Sequence, residues 1–588
     1  VNSIHARHVK MTFLKCGVIF MLVFVTYCNA EALLEDQEKF SLCAISKEFA
    51  FIWELDESPS DWFEVIMYTQ GIGEHGHNKN ISVGVQLQQE RMGSPGDWID
   101  IGEAWHLVLE EDLERNLREW NVKKQANWTD SGSALRFRFT TENEEPVAVS
   151  AAVLQLGAVG QHQVWIAGVL LVAVYILLVF ELVHRTTAAL IGAVVGLVIL
   201  SILRERPSIA VIITWIDEGT IGLLLGMMII IGVFSTTGFF EWVAIKCFKL
   251  SRGRVWVLLT VLCVSTAVLS AFLDNVTTIM LVAPVTLRLS RVVDLPPVPI
   301  ILAEVFFSNI GGTATLIGDP PNIIIGSMLS KYISFADFII NLAPALIIAA
   351  PFCLLYLRIV FRNKLHDKHV ENMDQLEREY RITDMPLFIK VCVVLGTVII
   401  VFFMEQITHI EPAWIAMSGA AILLMIASPH EVEHFLEKVE WSTLLFFAGL
   451  FIFIEALKEM GLIRFIGDTT ASIIGSVDEE QRLMVAIVLV MWLSAIVSAF
   501  IDNIPYTATM VPVILQLAND DTLGLPLKPL AWALAFGACL GGNGTIIGAS
   551  ANVVALGIMD RAGYKITFIQ FMLYGMPIMF ISVCFATA

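Results

Sequence analysis

From residue 162 onward the sequence is a succession of apolar runs separated by short polar breaks. The runs lie near Val164–Phe180, Ala188–Leu203, Gly219–Phe234, Val255–Phe272, Pro299–Ile317, Phe338–Val360, Leu387–Phe403, Ala413–Ala427, Trp441–Leu457, Met484–Phe500, Leu530–Leu540 with its continuation, and Phe568–Ala588. A helix of about 20 apolar residues crosses a bilayer, so the pattern predicts a polytopic α-helical membrane protein. Residues 31–161 follow another rhythm. Stretches such as "ISVGVQLQQ" and "ALRFRFTT" alternate with a period of two and predict strands. That segment reads as a small, mostly β domain.

Two apolar runs are interrupted in the same way. "SAFLDNVTTIMLVAPV" spans Ser270–Val285 and "SAFIDNIPYTATMVPV" spans Ser498–Val513. The likeness extends through both halves. Gly226 and Gly449 are 223 residues apart, as are Gly238 and Gly461. Asp274 and Asp502 are 228 apart, as are Pro284 and Pro512. Thr315 and Thr545 are 230 apart, as are Gly318 and Gly548, and Asn322 and Asn552. A register that drifts so little marks an internal repeat, 162–360 and 387–588, flanking a charged linker at 361–386. Each half holds five crossings plus the knot-bearing segment. With that segment entering and leaving on one side, each half crosses an odd number of times and the halves lie inverted. Inverted repeats with sites at their interface are the architecture of secondary transporters.

Composition agrees with the class: 56% of the 588 residues are hydrophobic, 16% are charged, and the mean hydropathy is +0.72. The net charge of −19 is concentrated. Glu31–Gln161 carries 24 Asp and Glu against 10 Lys and Arg. An acidic balance argues against nucleic-acid binding, which wants a basic patch. Only Cys43 of the nine cysteines lies in that segment, so no internal disulfide framework is expected there. No nucleophile–base pair or metal cluster stands out, so an enzyme is not expected. Residues 1–30 read equally as a signal peptide or a signal anchor. Either sends 31–161 to the lumenal or extracellular side, where the sequons at Asn80 and Asn127 would be glycosylated. Basic residues at Arg185, Lys246, Lys249, Arg252, Arg254 and in the linker then fall on the cytosolic side.

The polar knots predict re-entrant hairpins, because non-helical backbone survives in a bilayer only when buried in protein or facing a cavity. Each has a downstream partner: "SNIGGTATLIGDPPN", Ser308–Asn322, and "CLGGNGTIIGASAN", Cys539–Asn552. Paired glycines, threonines and a terminal asparagine within an apolar run predict a broken helix. Freed helix ends offer carbonyl groups to cations and N–H groups to anions.

These residues resemble the ion transporter superfamily, which includes arsenite permeases, sodium/proton antiporters and dicarboxylate–sodium symporters, and within it the P protein branch of animals. The resemblance runs from about Val164 to the C-terminus. It implies a dimeric elevator transporter, with a scaffold domain for the homodimer contact and a transport domain of two hairpins and two broken helices. It also implies an anion conductance and pH control in melanosomes. The dicarboxylate branch carries Ser-Asn-Thr at its hairpin tips, whereas this chain has Asp274-Asn275-Val276-Thr277 and Asp502-Asn503-Ile504-Pro505. That departure argues against a dicarboxylate substrate.

The candidate ion- or substrate-binding residues are Asp274, Asn275, Thr277 and Thr278 in the first hairpin, and Asp502, Asn503 and Thr507 in the second. From the broken helices come Asn309, Gly311, Gly312, Thr313, Asp319 and Asn322, then Gly541, Gly542, Asn543, Thr545 and Asn552. The competing readings are helix capping for the aspartates, hairpin structure for the amides and hydroxyls, and helix packing for the glycines. Na+ at the hairpin tips, or H+, is the expected coupling ion. Glu304 and Glu455 lack repeat partners and read as span-end or cavity-facing acids. "FFEWVAIKCFKL", Phe239–Leu250, reads as an interfacial arm. Three functions compete: a small-anion transporter with chloride favoured, a sodium/proton antiporter, and a receptor acting through its acidic ectodomain. The expected location is a melanosome, a related acidic organelle or the plasma membrane.

Overall fold

The computed structural model describes residues 41–45, 50–54, 62–70, 81–90, 98–109, 117–125, 135–141, 147–156 and 162–588, except 181, 204–206, 253, 293–294, 366–381, 428–431 and 521–522. The expected signal segment, the asparagines of both sequons and most of the linker lie outside the described residues. The chain divides into two compact units, Val1–Gln161 and His162–Ala588.

The first unit contains two antiparallel four-stranded sheets. One has the order β1 (Ser41–Ile45), β8 (Val147–Leu156), β3 (Trp62–Gln70), β6 (Leu117–Gln125). The other has the order β2 (Phe51–Glu54), β7 (Leu135–Thr141), β4 (Ile81–Glu90), β5 (Trp98–Leu109). On β7, Leu135, Phe137 and Phe139 are buried while Arg136 and Arg138 point away, the period of two expected of a one-sided sheet. β4 pairs with β7 in register and buries Val83, Val85 and Leu87 against the same core.

The second unit is helical, and its two halves run through the same series of elements. The first half comprises α1 (Gln163–Val179), α2 (Arg185–Leu203), α3 (Ile209–Thr214), α4 (Glu218–Ser235), α5 (Phe239–Ser251), α6 (Val255–Phe272), α7 (Asn275–Val292), α8 (Pro297–Gly312), α9 (Pro320–Met328) and α10 (Phe335–Phe361). The second comprises α11 (Met385–Phe403), a short α12 (Glu405–Thr408), α13 (Pro412–Ala427), α14 (Val432–Leu436), α15 (Trp441–Glu459), α16 (Leu462–Gly475), α17 (Glu479–Phe500), α18 (Asn503–Ala518), α19 (Leu527–Gly541), α20 (Ser550–Arg561) and α21 (Phe568–Thr587). The repeat reaches down to backbone detail. Gly238 and Gly461 start α5 and α16 with φ of 76° and 81°. A side chain resists that left-handed conformation, which is why glycine stands at both places. Capping boxes open α10, through Ser334 and Asp337, and α21, through Thr567 and Gln570.

Among the described residues eight helices are long and apolar enough to cross a membrane, α6 and α17 among them. Both are instead outgoing arms of hairpins. Two residues separate α6 from α7 and α17 from α18, and the return helices come back to the element that preceded the hairpin. Thus α7 packs on α5, and Gln516 near the end of α18 donates to Asp468 of α16 at 2.7 Å. The run Pro299–Ile317 likewise is not one helix, because α8 stops at Gly312 and α9 starts at Pro320.

The two halves interlock. α2 packs on α15 and its counterpart α13 packs on α4. Outer faces are apolar as well. On α10, Ile340, Ile347, Ile348, Phe352, Leu355 and Ile359 are 47–70% exposed, as a lipid-facing surface requires.

Candidate functional site

The hairpin tips are fixed by their own sequence. Asp274 Oδ1 accepts the Thr277 N–H at 2.9 Å and caps α7. In the second hairpin Pro505 stands where Thr277 stands and has no N–H to give. Asp502 Oδ1 accepts the Ile504 N–H instead, at 3.1 Å. Both aspartates therefore cap helices, and both are half-buried.

Each tip is bound to the broken loop of its own half. The Asn275 N–H donates to the Gly318 carbonyl at 3.1 Å. The Ser270 hydroxyl donates to the Ser308 carbonyl at 2.8 Å, and its counterpart Ser498 to the Ala538 carbonyl at 2.6 Å. The Thr315 hydroxyl donates to the Ala271 carbonyl and that of Thr545 to the Ala499 carbonyl. A Cβ on Gly311 would sit 2.1 Å from the Ala267 oxygen, and one on Gly541 2.6 Å from the Ala495 oxygen. These two glycines thus seat α8 on α6 and α19 on α17.

The halves meet through buried amides. Asn309 Nδ2 donates to Asn543 Oδ1 and Asn552 Oδ1, both at 3.0 Å, while Asn309 Oδ1 accepts from Asn275 Nδ2 at 3.2 Å. Asn552 Nδ2 donates to the Gly542 and Thr545 carbonyls at 2.7 and 2.8 Å. Asn322 Nδ2 does the same in the first half, to Gly312, Thr313 and Thr315. Cys539 Sγ donates to Asn322 Oδ1 at 3.3 Å. Asn503 Nδ2 approaches Asp319 Oδ1 at 3.4 Å. All of these side chains are at most 2% exposed.

Several polar atoms at this junction have no hydrogen-bond partner. In the first half they are Asn275 Oδ1, Thr278 Oγ1 and Asp319 Oδ2. In the second they are Thr507 Oγ1 and Asn543 Nδ2. A buried unpaired group costs about 1–3 kcal/mol, so a cluster of them points to water or a ligand. The halves also differ at the N-termini of their broken-loop helices. α9 begins with Asp319 at the cap and Pro320-Pro321 behind it, which places a carboxylate there and removes two N–H donors. α20 begins with Ala549 at the cap, and no side chain caps it.

The structure thus gathers Asn275, Asn309, Gly312, Thr313, Asp319, Asn322, Asn503, Gly542, Asn543, Thr545 and Asn552. Thr278 and Thr507 lie in the first turns of α7 and α18. Gly311 and Gly541 serve packing, and Thr277 supplies a capped N–H. Glu304 is neither at a span end nor facing a cavity: it is fully buried within α8, with Oε1 accepting from the Thr286 hydroxyl at 2.7 Å. Glu455 pairs with Lys458 at 2.7 Å. Two residues at the junction escaped the sequence reading. Cys539 stands 230 positions after Asn309, the offset being its only signal. Arg185, read only as a cytosolic charge, bonds Ser550 at 2.7 Å and Thr443 at 3.1 Å. Among the described residues no group of three or more His, Cys, Asp or Glu could hold a metal ion.

The citrate transporter family model (CitMHS) matches residues 175–537. The chain is 41% identical to the P protein of Homo sapiens over 82% of its own length and 69% of that protein's. It spans 62% and 60% of the P proteins of Sus scrofa and Mus musculus. It is 40% identical to the 46 kDa membrane protein of Mycobacterium leprae over 72% of this chain and 96% of that one. Among solved structures, the Alcanivorax borkumensis YdaH transporter matches 69% of this chain and 97% of that chain, with 11% identity and a TM-score of 0.46. The chain belongs to the citrate transporter family of multi-pass membrane transporters, within the ion transporter superfamily, alongside the P proteins.

Proposed function

We propose that this transporter moves a small anion, chloride favoured, with Na+ or H+ as coupling ion, and thereby influences the pH of an acidic organelle such as the melanosome. One observation carries the reading. The two broken-loop helices start with opposite chemistry, acidic Asp319 with prolines at α9 and an uncapped N-terminus at α20. Unpaired oxygens at Asn275, Thr278 and Asp319 suit a cation, and the unpaired amide N–H of Asn543 suits an anion. Citrate fits poorly. Its several carboxylates would need several cations, whereas the amide network is neutral and Asp319 would repel them. In this reading α1, α2, α4, α11, α13 and α15 form the scaffold and the homodimer contact. The hairpins and broken helices then move as one body.

The sodium/proton antiporter is the second reading, favoured by buried Asp319 with one oxygen unpaired. The test is lumenal pH in sealed proteoliposomes under a sodium gradient, with and without chloride. A pH change that requires chloride supports anion transport. A chloride-independent change supports the antiporter. Silence from folded protein sinks both.

A further inference from the structure

We infer that Arg185 is a latch: a positioning residue that ties the tip of the second hairpin to the α2–α15 layer and has to let go before that hairpin moves. The inference rests on the proposed division into a scaffold and a moving body. Arg185 is the first residue of α2 and is half-buried. Its guanidinium lies 5.8 Å from the centre of the Phe446 ring on α15. Nη1 donates to the Ser550 hydroxyl at 2.7 Å and Nη2 to the Thr443 hydroxyl at 3.1 Å. Both hydroxyls pass the contact on. That of Ser550 donates to Asp502 Oδ2 at 3.2 Å, and that of Thr443 to Glu440 Oε2 at 2.9 Å. One cation thus stands one hydroxyl away from two carboxylates. Thr443 and Glu440 lie on the scaffold side of the seam, and Ser550 and Asp502 on the moving side.

A second tie reaches the same hairpin. The Tyr175 hydroxyl on α1 donates to the Pro505 carbonyl at 3.3 Å and lies 3.2 Å from the Thr509 hydroxyl, both in the first two turns of α18. Hydrogen bonds from a charged donor are the stronger kind, and the relay from Arg185 is the one that ends on the cap of α18. Moving the hairpin away from the scaffold parts that relay between Arg185 and Ser550, so the seam is costly to open there.

The repeat shows that the fold does not require this tie. Arg185 and Pro412 are 227 apart, as are Ala189 and Ala416, which seat on Gly449 and Gly226. Pro320 and Ser550 are 230 apart, the offset of the broken loops, and Leu281 and Thr509 are 228 apart, the offset of the hairpins. The first half therefore has prolines in place of the guanidinium and the serine hydroxyl, and leucine in place of Thr509. Thr220, the counterpart of Thr443, keeps its hydroxyl, which is buried and has no partner. A tie across the first seam, from the Ser327 hydroxyl to Asp217 Oδ1 at 2.5 Å, holds the far end of α9 rather than the hairpin tip. Two hairpins of equivalent build are thus held unequally, and the lock is on the second.

The test is amide hydrogen exchange on the full chain in detergent, which reads local opening without needing a substrate. Loss of a charged hydrogen bond in Arg185→Gln should speed exchange at the second tip, residues 500–510, and at the start of α20, residues 549–555, by at least about tenfold. The first tip, residues 272–282, should keep its parental exchange and serves as the internal reference. Arg185→Lys should give a smaller rise. Ser550→Ala should open the same segments, and adding Arg185→Gln to it should open them no further, because the two act in series. In proteoliposomes Arg185→Gln should raise the maximal rate of chloride flux. Unchanged exchange at the second tip overturns the latch, as does an equal rise at both tips, which marks a general loss of stability. Additive effects of the two substitutions overturn it too, and so does an opened tip with parental flux. The expected exchange pattern in a protein that moves no chloride keeps the latch and overturns the proposed substrate instead.

Discussion

Asn309 and Cys539 occupy the same place in the two halves, and each donates to an asparagine of the other half. Asn309 Nδ2 lies 3.0 Å from Asn552 Oδ1, and Cys539 Sγ lies 3.3 Å from Asn322 Oδ1. The receiving asparagines are themselves repeat partners. Each clasps the carbonyls of its own broken loop with its amide nitrogen. One bond of the pair is an amide contact and the other a weaker thiol contact, so the junction is symmetric in path and unequal in strength.

Asn309→Ala should therefore destabilise more than Cys539→Ala. The first removes three hydrogen bonds and strands buried amides, at about 1–3 kcal/mol for a stranded group. The second removes one weak donor. Melting of the purified variants in one detergent should place Asn309→Ala clearly below Cys539→Ala. The reverse order would refute the hub.

Gly311→Ala should lower stability, because its Cβ would fall 2.1 Å from a backbone oxygen that cannot rotate away. Overpacking of this kind costs about 1–3 kcal/mol or more. Gly557 on α20 has nothing within 4 Å of an added Cβ, so Gly557→Ala should be neutral or stabilising, by up to about 1 kcal/mol. Equal melting of the two variants would contradict the close seating of α8 on α6.

Asp274 separates capping from charge. Asparagine caps a helix about as well as aspartate, so Asp274→Asn should keep stability while Asp274→Ala loses about 1 kcal/mol. If the carboxylate serves the coupling ion, Asp274→Asn should alter the pH or sodium dependence of flux without lowering the melting temperature. Unaltered flux and pH dependence would leave Asp274 as a cap alone.

Asp319→Asn should abolish the sodium or pH dependence of transport. The carboxylate is 1% exposed and its Oδ2 has no partner, so its charge has no evident role in holding the fold. The measurement is flux against sodium concentration and pH. Unchanged curves in folded protein would remove Asp319 from the cation site.

Glu405 lies outside the long apolar helices and accepts the Phe335 N–H at 2.9 Å. Burial raises its pKa above the ordinary carboxylate value, even though that hydrogen bond acts against the rise. The folded state thus binds its proton more tightly than the unfolded chain does. Its contribution to stability is present at low pH and declines as pH rises through the raised value. Melting of the parent relative to Glu405→Gln should fall as pH rises from about 4 towards neutrality. A constant difference would mean that folding leaves the pKa of Glu405 unshifted.

Much of the fold was legible because it is written in local terms. Apolar runs have to be helices in lipid, since every backbone group there needs an internal partner. Asp-Asn within such a run has to be a break that protein covers. The repeat was legible in constant offsets, and Gly238 with Gly461 shows the same backbone need met twice. Simple counting misleads at α6 and α17, whose length and apolarity match those of true crossings. The break at Asp-Asn predicts the turn, and the packing of α18 on α16, with Gln516 bonded to Asp468, shows that the second hairpin doubles back.

By itself, then, the sequence determined the membrane class, the repeat, the hairpins and broken helices, and the polar residues gathered at their tips. Tertiary structure decided which of those residues meet and what each does. It turned the aspartates into caps and Gly311 and Gly541 into packing contacts, and it made Asn309 the hub between halves. It also brought Arg185 to Ser550 across 365 positions of chain. The physical reason is that a helix start or a turn depends on neighbours within a few residues. Whether a donor finds an acceptor in lipid depends instead on how helices distant in sequence are stacked. The same asparagine is a clasp, a bridge or a free ligand group according to that stacking.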